Sequence, residues 1–129
     1  MPVAEGKKIS FKDPSVVTTI ELESFPYEGV KQKVIYKTTE FSAVCPFSGL
    51  PDIGTVTIEY IPSDKVIELK SLKYYFVSYR DVGIYQEHVT SKIFSDIYGF
   101  LKPQHMKLTV VYQTRGGIDT TTEVDSDNL

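Results

Sequence analysis

The sequence contains no tryptophan, one cysteine (Cys45) and two histidines (His88 and His105) among 129 residues. Each shortage removes a class of protein. One thiol cannot form an intrachain disulfide, and a chain of this length buries a core without such a staple. With Cys45, His88 and His105 as the only nitrogen and sulfur ligands, and no close metal-ligand spacing among them, no metal site is expected. No apolar run reaches the length of a membrane span and the N-terminus lacks a signal-peptide pattern, so a cytoplasmic protein with a reduced thiol is expected. Positive charge is also scarce. The net charge of -3 argues against a duplex-binding surface, which needs dense Lys and Arg. No GxGxxG follows a strand, which counts against a Rossmann dinucleotide site.

What is present is periodicity. Val56, Ile58 and Tyr60 alternate with Thr55, Thr57 and Glu59, the pattern of a half-buried strand ended by Pro62-Ser63-Asp64. Ordered structure is expected to begin near Val16 to Leu22 or, more firmly, with an earlier strand over 33–41. Leu69, Leu72, Phe76 and Tyr79 recur at three- and four-residue spacing and predict an amphipathic helix broken at Gly83. Val89, Ile93, Ile97 and Leu101 predict a second helix over about 84–101, ending at Gly99 to Pro103. Met106, Leu108, Val110 and Tyr112 alternate again, and Thr114-Arg115-Gly116-Gly117 forms a turn into a last short strand. The chain therefore reads as one α+β domain over 1–129, an antiparallel four-stranded sheet with two helices on one face in the order ββααββ. Residues 1–26 are expected to be a loosely ordered arm and 121–129 a flexible tail. Such a sheet leaves two open edges, which predicts a homo-oligomer.

Cys45 lies in the stretch Ala43 to Gly54, AVCPFSGLPDIG. Free cysteine is usually a small buried hydrophobe. Here Pro46 and Pro51 restrict the backbone, Gly49 permits a tight turn, and Asp52 can approach the sulfur if the loop folds back. A stiff loop holding a thiol near a carboxyl suits a nucleophile with a proton-transferring partner. No Cys-His pair is evident. Two small basic clusters, Lys70 with Lys73 and Arg115 beside Gly116 and Gly117, are either solvated surface charge or contacts for a phosphorylated ligand.

Four segments occur in order: FSAVCPFSGLPDIGTVTIEYIP, Glu68 to Tyr75 (ELKSLKYY), YRDVGIYQEH and TRGGI. From about Glu40 to Ile118 they resemble the unimodular QueF family, the NADPH-dependent 7-cyano-7-deazaguanine reductases of queuosine biosynthesis. The resemblance implies the tunnelling fold, assembly as an oligomeric barrel of two pentamers, and active sites at subunit interfaces. It implies that the thiol of Cys45 adds to the nitrile as a thioimide and that Asp52 moves the proton. Ile67, Glu68, Leu69 and Glu87 match base-contacting positions, and Lys70, Lys73 and Arg115 match or suit contacts to NADPH. Gln86 is a departure, because many relatives have histidine there; Gln86 hydrogen-bonds but does not titrate. His88, two positions on, points about 200° away on an ideal helix. Two other activities fit the cysteine and aspartate in part: addition of ammonia by an amidinotransferase-type relative, and non-catalytic binding of a purine-like ligand. The Glu68 to Lys73 signature argues against the first, and the intact Cys45 and Asp52 against the second.

Overall fold

The computed structural model describes residues 9–129; the first part of the expected N-terminal arm lies outside the described residues. In chain order, β1 (Ser24–Pro26), β2 (Val34–Val44), β3 (Pro51–Ile61) and β4 (Lys65–Ile67) precede α1 (Leu69–Val77) and α2 (Gln86–Leu101), and β5 (His105–Tyr112) and β6 (Thr121–Asp125) follow. The main sheet is antiparallel with strand order β2-β3-β5-β6, and β1 pairs with β4 in a second, two-stranded sheet. The α+β class and the ββααββ core are as expected. The small second sheet was not legible, because Ser24-Phe25-Pro26 is exposed and carries no alternation.

Alternation sets the main sheet. Asp52, Gly54, Val56, Ile58 and Tyr60 are buried on one face of β3, and Met106, Leu108, Val110 and Tyr112 on the same face of β5. The helices cover this face. Val89, Ile93, Ile97 and Leu101 of α2 join it in one core, so the four-residue spacing reads correctly. The α1 stripe reads less well. Leu72 is buried, but Leu69 is exposed at the first turn, while Tyr75 turns inward because its hydroxyl bonds Tyr79 (2.9 Å) and Asp96 (2.7 Å). The second helix runs through Gly99 to Leu101 and closes at Lys102, whose φ of 48° is left-handed, immediately before Pro103.

Both terminal expectations need correction. Val17 and Leu22 are core residues, and a 3-10 turn at Pro14–Val16 is capped by Asp13. Lys12 exchanges backbone hydrogen bonds with the link between the helices, its N–H donating to Asp81 (2.7 Å) and its carbonyl accepting from Gly83 (2.8 Å). Phe11 packs on Gly83, where an added Cβ would lie 2.2 Å from the ring. At the other end, the stretch expected to fray is edge strand β6. His105 Nε2 meets Asp125 Oδ1 at 2.8 Å, and the Met106 N–H donates to Ser126 Oγ at 3.0 Å, so polar pairs rather than burial hold this segment.

Among the described residues, no helix is long and apolar enough to cross a membrane.

Candidate active site

Cys45 is the first residue after β2, at the mouth of the hairpin to β3. Its N–H donates to the Leu50 carbonyl (2.9 Å) and its carbonyl accepts from Gly49 (2.8 Å), so the turn closes on the cysteine backbone. Gly49 has φ 74°, and a Cβ there would lie 3.0 Å from the Ile9 carbonyl oxygen. The N-terminal segment thus braces the turn. The link between the helices braces it from another side: Val44 N–H donates to Val82 (2.9 Å) and Ile84 N–H to Val44 (3.0 Å).

Asp52 sits on β3 rather than in the loop, opposite Ala43, and is 4% exposed. Cys45 is 7% exposed. A buried carboxylate needs a partner, and Arg115 supplies it. The Arg115 guanidinium donates through Nη1 to Asp52 Oδ1, and its Nη2 lies 3.6 Å from Cys45 Sγ. One side chain therefore spans both groups.

The thiol is shifted toward reactivity. Hydrogen bonding from the Ser48 side chain and N–H, opposed by desolvation and aided by the Phe47 N–H and Arg115, lowers Cys45 from 9.0 to about 7. Ser48 is a site residue that the sequence reading missed. Its signal was local: a hydroxyl three residues after the cysteine, in a turn that points N–H groups back at sulfur.

Other expected residues fall into separate groups. Glu87 lies in the exposed first turn of α2, and the Gln86 carbonyl accepts from the Tyr112 hydroxyl at 3.4 Å. Tyr112 packs beside Gly54 and is pushed up by burial, then by the charges of Asp52 and Glu87. His88 lines a groove with Pro46 and Tyr85.

Ile67 is buried core, whereas Leu69 is exposed. Glu68 caps α1, its two carboxylate oxygens accepting from Lys70 and Ser71 N–H at 2.8 Å each, and these bonds lower its pKa. Lys70 lies 6.0 Å from the Tyr74 ring. Lys73 lines a cavity of about 270 Å³ between α1 and β2, with Phe41, Leu69 and Phe76 as apolar wall and Lys37 and Arg80 as further cations. Among the described residues, no hydrogen bond or ion pair joins Glu68, Lys70 or Lys73 to Cys45 or Asp52.

A depressed thiol, a buried acid and a bridging guanidinium thus meet at one end of an antiparallel sheet backed by two helices, in an α+β protein. Comparison with known proteins narrows this. The sequence model described as QueF-like protein matches residues 51–129. The NADPH-dependent 7-cyano-7-deazaguanine reductase of Thermotoga maritima is 53% identical over 127 residues, covering 98% of this chain and 93% of its own. That of Thermoanaerobacter pseudethanolicus is 52% identical over 101 residues, 77% of this chain and 76% of its own. A crystal structure of the archaeosine synthase QueF-Like in the apo form has a TM-score of 0.66 at 23% identity, covering 78% of this chain and 96% of that one, a likeness of fold. The chain belongs to the QueF-like protein family.

Proposed function

We propose that this protein is a cytoplasmic, NADPH-dependent 7-cyano-7-deazaguanine reductase that forms 7-aminomethyl-7-deazaguanine in queuosine biosynthesis. The observation that carries the reading is the single thiol beside a buried acid, in a chain 53% identical to reductases of that name. Sulfur attacks the nitrile carbon, a C–S bond forms and one C–N π bond breaks. Asp52 passes the thiol proton to the nitrile nitrogen, giving the thioimide. NADPH, held at Lys70 and Lys73, would supply two hydrides in turn. Between them the C–S bond breaks with its electron pair returning to Cys45, and the resulting imine takes up the second hydride and a proton. The balance is one nitrile, two NADPH and two protons to one primary amine and two NADP⁺.

The Lys73 cavity supports a nicotinamide nucleotide site, because an apolar wall for the ring lies beside three cations for the phosphates, Lys37, Lys73 and Arg80, with Glu40 as the carboxylate in the same lining. Lys70, Lys73 and Arg115 are the proposed cofactor contacts, and Ile67, Glu68, Leu69, Gln86 and Glu87 the base contacts. Glu87 accepts from the amino and ring N–H groups of the guanine-like edge. Among the described residues no hydrogen bond or ion pair joins the α1 groups to the thiol, and strands β2 and β6 leave the sheet with two edges. Both features support an oligomer with each site shared between subunits; the tunnelling-fold barrel of two pentamers is what the family resemblance implies.

NADPH oxidation with 7-cyano-7-deazaguanine tests the reading. Two equivalents per product are expected; product formation from ammonia without NADPH consumption would support the amidinotransferase alternative instead.

A further inference from the structure

Arg115 was expected to face a phosphate, yet its guanidinium lies over the thiol and the acid. Its side chain is 52% exposed while that of Asp52 is 3% exposed, so arginine covers the carboxylate from the solvent side. The backbone that carries it is a tight turn: Arg115 N–H donates to Ile118 at 3.0 Å and Ile118 N–H to Arg115 at 2.9 Å. Gly116 and Gly117 have φ of 57° and 77°, and nothing lies within 4 Å of a Cβ added to either. Among the described residues, nothing crowds the two glycines of the turn. A nitrile must bring its carbon to Cys45 Sγ and its nitrogen within about 3 Å of Asp52. Those are the two directions the guanidinium fills.

We propose that Arg115 is a positioning residue that pairs with Cys45 and Asp52 while the site is empty, screening the thiolate, and that the incoming nitrile displaces it. The displacement rests on the reductase reading. The resting contact does not, and its test needs neither nitrile nor NADPH. As a cation beside sulfur, Arg115 favours the thiolate; as a lid across it, it slows attack on outside reagents. The two effects have opposite signs and separate on a pH profile.

The experiment is alkylation of Cys45 by iodoacetamide from pH 5 to 10, followed by intact mass, in the parent, Arg115→Ala and Arg115→Lys proteins. In Arg115→Ala the inflection should rise by roughly half a unit, less than a close ion pair gives. The thiolate fraction at pH 6 then falls about threefold, and alkylation there, expressed relative to each protein's own plateau, falls by the same factor. The plateau at high pH, where every thiol is ionised, should rise above the parent's. Arg115→Lys should restore most of that half unit, because lysine keeps a cationic donor beside the sulfur. An Arg115→Ala profile that matches the parent in either inflection or plateau would overturn the proposal.

Discussion

Removing the Ser48 hydroxyl should cost the enzyme much of its thiolate at neutral pH. The turn lowers Cys45 from 9.0 to about 7, with the Ser48 side chain as the largest cause and its N–H the next. At pH 7 roughly half of the thiol is ionised, against about 1% for a thiol left at 9.0. The gain in rate is smaller than that fifty-fold ratio, because a less basic thiolate is a weaker nucleophile. With a Brønsted slope of about 0.4–0.5, a drop of two units weakens it about eightfold, leaving a net advantage of about sixfold. The assay is exchange with a dipyridyl disulfide, followed by absorbance from pH 5 to 10. The native protein should show an inflection near 7, with rate lost as pH falls through it. Ser48→Ala should move the inflection upward toward 9.0, slow exchange at pH 6 and quicken it at the high-pH plateau. A native inflection near 9, or a Ser48→Ala profile identical to the native one, would refute the assignment of Ser48.

Asp52→Asn should slow NADPH turnover by about two to four orders of magnitude, the usual loss for an acid–base group. Turnover near the native rate would remove Asp52 from proton transfer. Lys73→Ala should raise the KM for NADPH with little change in that for the nitrile, since Lys73 lies in the basic cavity and not at the thiol; the reverse ordering would reassign that cavity to the base.

The parts of the fold with regular burial were legible. A period of two marks β3 and β5 and a period near 3.6 marks α2, because each lays one face on the core. The last strand was expected but not its place in the tail, because Thr121-Thr122-Glu123-Val124-Asp125 is a polar edge strand, held by ladder bonds to β5 and by the His105–Asp125 pair. The order of residues 9–26 was missed because it comes from backbone bonds at Lys12 and from two glycines receiving Ile9 and Phe11. Cys45 and Asp52 could be paired from local spacing. Arg115 could not be placed with them, since it lies 70 and 63 residues away and only the β3–β5 pairing brings its turn to the hairpin. The Glu68 to Lys73 group shows the converse, conspicuous in sequence yet joined to the thiol by no hydrogen bond or ion pair among the described residues.

The covalent step at Cys45 is the centre of the account. Intact mass of the protein mixed with 7-cyano-7-deazaguanine alone, without NADPH, tests it directly. The predicted result is a one-to-one adduct of the full mass of the nitrile base, mapped to Cys45 and absent from Cys45→Ala. An adduct that persists in Cys45→Ala, or turnover of the nitrile by that variant, would contradict it.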